Sequence, residues 1–312
     1  MENIMISLRC VAPMFITLTV GYCVQKVEIF DSNACSRVNR LNLWVLLPIL
    51  LFNSIYSADF SSSFQPKLIG YLIVQTVCVY LIARFICAKK IPSKRTQSAY
   101  VQLAYRSNIV IVGLTLANTL MGSEHTAPMS LAIAFLGPLA SVLAITVLES
   151  CRNEERDYRQ TIKGVIKSPL IIGCLAGVVV KILGITLPDF LISALQPIGN
   201  AGITLAVLML GVSLNTGGIK RNIKRIMFGC LIRLVLIPIL CVCTAILLGF
   251  RGDHLAIIML VCATPLATAA YPMAQAYDSD YELTGQFVVA TSLMCCVTLF
   301  LWIFVLKELC LI

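Results

Sequence analysis

Arg106, Ser107 and Asn108 place one full charge and two hydrogen-bonding groups near the middle of an apolar stretch that runs from Ser98 to about Gly122. A charged side chain at the centre of a bilayer costs at least ~2.5–3.5 kcal/mol on insertion scales, so it is kept where it faces a partner or a water-filled cavity. The guanidinium of Arg106 is planar and its fork matches a carboxylate. No Asp or Glu lies at similar depth in any other apolar stretch, so a bound organic anion is the expected counter-ion. The bland alternative is that Arg106 reaches toward the cytoplasmic face or pairs with carbonyls freed by a break in another helix. Such a break is signalled by Ala263-Thr264-Pro265-Leu266-Ala267-Thr268-Ala269-Ala270-Tyr271-Pro272, where two prolines remove backbone donors and small side chains admit a close helix crossing. Two ordinary proline kinks are the alternative there. The candidate substrate-binding set is therefore Arg106, Ser107, Asn108, Thr264, Pro265, Thr268, Ala269 and Ala270.

These groups sit in lipid rather than water. Of 312 residues 59% are hydrophobic and 12% charged, with mean hydropathy +0.91, whereas a soluble domain carries roughly 25% charged residues. The expected class is an all-α polytopic membrane protein. The net charge of +9 would suggest nucleic acid in a soluble protein. Here Lys and Arg cluster in short connections and act as topology signals, so no nucleic-acid partner is expected. The cysteines lie mostly inside apolar stretches without metal-ligand spacing, as in Cys295-Cys296 and Cys241-Val242-Cys243. They are read as packing residues, and neither a metal nor a cofactor is expected. The first stretch lacks a small-residue cleavage site after it, so no cleavable signal is expected.

Ten stretches approach the ~20 apolar residues that cross a ~30 Å hydrocarbon core. They run approximately over 7–24, 41–56, 68–87, 98–121, 128–148, 169–185, 190–214, 225–249, 254–277 and 283–306. Basic residues follow alternate spans, such as Lys89, Lys90, Lys94 and Arg95 after the third and Arg152, Arg156, Arg159, Lys163 and Lys167 after the fifth. The intervening turns hold few or none, which places both termini outside. The acidic turn Asp278 to Glu282 is the exception, since it must lie on the basic side. Arg233, about two turns or ~12 Å into the eighth span, is expected to reach cytoplasmic water as a structural anchor.

Five spans per half invert the second half relative to the first. Residues 1–150 would form one five-helix repeat, 151–168 a cytoplasmic connection and 169–312 the inverted repeat. The interrupted fourth and ninth spans fall a similar distance, on the order of 55 residues, after Pro48 with Phe52-Asn53-Ser54 and after Gly211-Val212-Ser213-Leu214 respectively. Such pairing marks discontinuous helices in inverted-repeat transporters.

Several motifs, in their order and spacing, resemble the auxin efflux carrier family, which includes bacterial organic-anion carriers and the plant PIN-FORMED and PIN-LIKES proteins. They are Gly21-Tyr22, Leu41-Asn42 leading to Leu47-Pro48-Ile49-Leu50-Leu51-Phe52, Ser168-Pro169-Leu170-Ile171-Ile172-Gly173, Leu208-Met209-Leu210-Gly211-Val212-Ser213-Leu214, and Arg233-Leu234 with Pro238. The resemblance covers nearly the whole chain. It implies ten transmembrane helices as two inverted five-helix repeats, with broken fourth and ninth helices crossing at the midplane. Asn108 matches the fourth-helix Asn of the family, and Pro265 and Ala274 match ninth-helix positions. Thr115 stands where the family has its fourth-helix crossover Pro, and Ala270 where the plant carriers have theirs; Pro272 is then a candidate for moving the break. The short connection between the fifth and sixth spans resembles the bacterial-type carriers.

The leading expectation is a secondary transporter of a small organic anion, a mono- or dicarboxylate, working by alternating access in the plasma membrane. The lipid bilayer is its other partner, and a homodimer is admitted. Sodium-coupled symport of the bile-acid type, and a membrane sensor or channel, are the alternatives. No P-loop, HExxH or paired intramembrane carboxylates point to an enzyme.

Overall fold

A computed structural model describes residues 2–27, 32–57, 65–121, 127–152, 167–213 and 216–312. The Glu124-His125 turn and most of the connection from Arg152 to Lys167 lie outside the described residues. Apart from one isolated bridge, every regular element among the described residues is helical.

In chain order the elements are α1 (Glu2–Lys26), α2 (Ser32–Leu41), α3 (Leu47–Tyr56), α4 (Pro66–Lys90), α5 (Lys94–Tyr105), α6 (Leu114–Met121) and α7 (Ala127–Arg152). They continue as α8 (Pro169–Ile182), α9 (Asp189–Val212), α10 (Thr216–Leu231), α11 (Ile237–Leu247), α12 (Gly252–Ala263), α13 (Ala270–Ala276) and α14 (Tyr281–Glu308). A π-helical turn joins α2 to α3 (Asn42–Leu46) and another joins α10 to α11 (Ile232–Leu236), each followed within two residues by Pro48 or Pro238. A third, Ile109–Gly113, leads into α6. Among the described residues six continuous stretches, including Ala34–Tyr56, Pro66–Lys90 and Gly218–Leu247, are long and apolar enough to cross a membrane. The fourth and ninth expected spans are not continuous, because each is cut near its middle.

α1 packs along α9, and α3 packs against both α8 and α9. These contacts bring backbone to backbone. A Cβ at Gly21 would meet Leu208 O, and one at Gly211 would lie 3.0 Å from Gly21 Cα and against Leu18 O. Gly173 meets Pro48 in the same way. Small residues at such crossings let membrane helices gain close van der Waals contact, which replaces the hydrophobic drive that lipid removes. α2 continues into α3 and belongs with these helices, while a second group forms in which α4 packs on α5 and α7, α11 on α12, and α14 on α10, α13 and α5.

The acidic turn is clasped to the start of α5. Arg95 Nη2 lies 2.6 Å from Asp278 Oδ2, Thr96 Oγ1 donates to Asp280 Oδ2 at 3.0 Å, and the hydroxyls of Ser98 and Ser279 pair. This puts Asp278 to Glu282 on the same side as the basic turn before α5. At the opposite end Lys67 Nζ donates to Leu248 O and Gly252 N to Leu311 O.

Candidate functional site

The broken helices meet at residues 106–108 and 264–267. Thr264 precedes a proline, which pushes it out of the helical region, and its ψ of 154° turns the chain out of α12. Arg106 is likewise extended at ψ 107°. The two extended segments pair antiparallel through Ser107 and Leu266. Asn108 N donates to Pro265 O at 2.9 Å, and Ala267 N donates to Arg106 O at 3.2 Å.

Backbone groups freed by the breaks must find other partners, because lipid offers none. Pro265 has no N–H, so Val261 O loses its helical donor; the Ser107 hydroxyl supplies one at 2.5 Å. Leu266 N turns to Thr291 Oγ1 on α14 at 3.2 Å. Asn108 O accepts from Val112 N and Gly113 N, which starts the π-helical turn and then α6. Helix therefore resumes before Thr115. Pro272 does not move the second break: it lies in the first turn of α13, where a missing N–H costs no helical bond.

Arg233 completes the crossing, and here the sequence expectation is corrected. Its side chain is 1% exposed and does not reach water. Nε and Nη2 donate to Thr264 O at 3.0 and 2.8 Å, Nη1 to Ala104 O at 2.8 Å, and Nη2 also to Ser107 Oγ at 2.6 Å. The helix carrying it starts at Thr216 rather than Arg225, so Arg233 lies roughly 25 Å along the helix, near the middle of the bundle. Pairing with carbonyls freed in the ninth span, considered above for Arg106, belongs to Arg233.

Arg106 points elsewhere. It is 5% exposed, and Nη1 donates to Gln102 Oε1 at 3.1 Å, one turn back on α5. It lines a cavity of about 110 Å³. Leu47, Leu51 and Leu136 form much of the wall, with Ser107 and Ser141 beside Arg106. No Asp or Glu is among the described lining residues. The cavity lies between α3 and α8 on one side and α5, α7 and the crossing on the other. Tyr105 fixes α5 to α7 there, its hydroxyl donating to Ala140 O at 3.1 Å.

Of the candidate set, Arg106, Ser107 and Ala269 line this cavity. Asn108, Thr264, Pro265, Thr268 and Ala270 are buried around the crossing behind it. Asn108 Nδ2 and Thr264 Oγ1 are buried without a hydrogen-bond partner among the described residues. Sequence reasoning missed Ala267 and the α3 and α7 residues of the wall. Their only signal, apolarity within apolar spans, does not separate cavity from core. It also missed Arg233 as part of the crossing.

A family profile described as membrane transport protein matches residues 6–303. Over 305 residues the chain is 23% identical to a protein named uncharacterized transporter from Methanothermobacter thermautotrophicus, covering 96% of this chain and 98% of that one. It is 20% identical over 310 residues to another so named from Methanocaldococcus jannaschii, covering 97% and 100%.

Proposed function

The chain belongs to the membrane transport protein family, the auxin efflux carrier and PIN-like family, and we propose that it is a secondary transporter moving a small organic anion across the plasma membrane by alternating access. The observation that carries this reading is Arg106. Its charge faces a membrane-depth cavity whose described walls hold no carboxylate, while the freed carbonyls that could have neutralised it are taken by Arg233. The largely apolar wall suits a carboxylate with an apolar body, its charged end at Arg106 and Ser107.

The protein spans the bilayer ten times as two inverted repeats, with both termini outside. Packing supports the repeat: α1 lies on α9 as its repeat counterpart α8 lies on α3, and α4 packs on α5 as α11 packs on α12. Movement of the α1, α2, α3, α8 and α9 group against the rest would expose the cavity to each side in turn.

A thermal-shift screen of the purified protein against small mono- and dicarboxylates tests the reading, because a ligand that binds the native state raises its apparent stability. At least one carboxylate should raise the Tm of the wild type and not that of Arg106→Gln. Equal shifts in both proteins would remove Arg106 from the site.

A further inference from the structure

We infer that the guanidinium of Arg233 occupies, as a tethered cation, the place a coupling ion would take at the crossing, so that no sodium ion binds there; the inference rests on the transporter reading above. Discontinuous helices in secondary transporters ligate sodium through unwound carbonyls and the C-terminal ends of half-helices. Both features are present. α5 and α12 end at the crossing, and the freed carbonyls of Ala104 and Thr264 together with Ser107 Oγ converge on Arg233 at 2.6–3.0 Å.

Charge decides what can occupy that place. Each helix C-terminus carries roughly −0.5 elementary charge, so the two together present about −1. The guanidinium supplies +1, stays protonated, and cannot leave because it is bonded to its own helix. The atoms it bonds are all neutral oxygens, and no salt bridge to Arg233 occurs among the described residues. A sodium ion would add a second positive charge to a site already neutralised, in a low-dielectric interior where like charges repel most.

The test needs no organic anion, so its failure leaves the carboxylate reading standing, and failure of the carboxylate screen leaves this test intact. The full chain is purified in detergent and its Tm is measured in sodium, potassium and choline chloride at equal ionic strength. The wild type should show the same Tm in all three. Arg233→Ala should melt lower in choline and recover by on the order of a few °C when sodium, or guanidinium at low millimolar concentration, replaces part of the choline. Arg233→Lys, which keeps a tethered cation, should remain indifferent to sodium. A residue that merely braces the helices would not give its alanine variant a cation response. If Arg233→Ala cannot be purified in choline, its recovery with guanidinium present from solubilisation onward supports the inference. Loss in every cation overturns it, as does a sodium-specific rise in the wild-type Tm or an Arg233→Ala variant indifferent to both ions.

Discussion

Ser107 accepts from Arg233 while donating to the carbonyl that Pro265 leaves without a donor, so one hydroxyl joins both broken helices to the helix that braces them. Arg106, its neighbour, turns the other way and faces the cavity. Hydrogen bonds to charged groups contribute ~1.5–3 kcal/mol, so Arg106→Gln should weaken carboxylate binding roughly tenfold to over a hundredfold, by titration calorimetry or thermal shift. Arg106→Lys should restore part of that affinity, since it keeps the charge and loses the planar fork. Unchanged affinity in Arg106→Gln would make the residue structural. The polar run Arg106 to Asn108 was legible because it interrupts an apolar span, and Pro265 because it must free the carbonyl four residues earlier. The depth of Arg233 is not legible in the sequence, because the apolar window begins at Arg225 and the basic, amphipathic first half of α10 lies upstream of it.

At the scale of elements, two kinds of contact hold the helices. The crossing is held by hydrogen bonds, and the α1–α9 and α3–α8 pairs by glycine contacts that allow no side chain. Gly211→Ala should cost about 1–3 kcal/mol through overpacking against Leu18 O. Gly70→Ala, at a position with nothing within 4 Å, should be neutral or mildly stabilising through helix propensity. Thermal unfolding of the two variants in parallel checks this, and equal melting temperatures would show that the α1–α9 approach is looser than described. Helix existence was readable from hydropathy, and so were the two breaks. The π-helical turns were not, because nothing in Asn42–Leu46 or Ile232–Leu236 marks a local widening except the proline that follows. Element ends differed most where polar residues extend a helix beyond its apolar part, as at the starts of α2 and α10.

For the whole molecule, the acidic turn from Asp278 to Glu282 is the point at which charge counting and geometry meet. By charge alone it breaks the basic-side pattern, yet Arg95 of the neighbouring basic turn pairs with Asp278, a pairing of residues 183 positions apart that the sequence does not display. Single cysteines at Arg95 and Asp278 should therefore label from the cytoplasm, and cysteines at Lys67 and Arg251 from outside. Labelling of positions 95 and 278 from opposite sides would contradict the fold itself. A cavity between two helix groups, with Arg106 in its wall and no carboxylate among its described lining residues, is what the proposed carrier rests on. Counterflow in proteoliposomes measures that claim most directly, using the carboxylate that most stabilises the purified protein. The account predicts saturable uptake that is accelerated by the same carboxylate preloaded inside and lost in Arg106→Gln; uptake that is linear in concentration and unaffected by preloading, or binding with no flux, would contradict it.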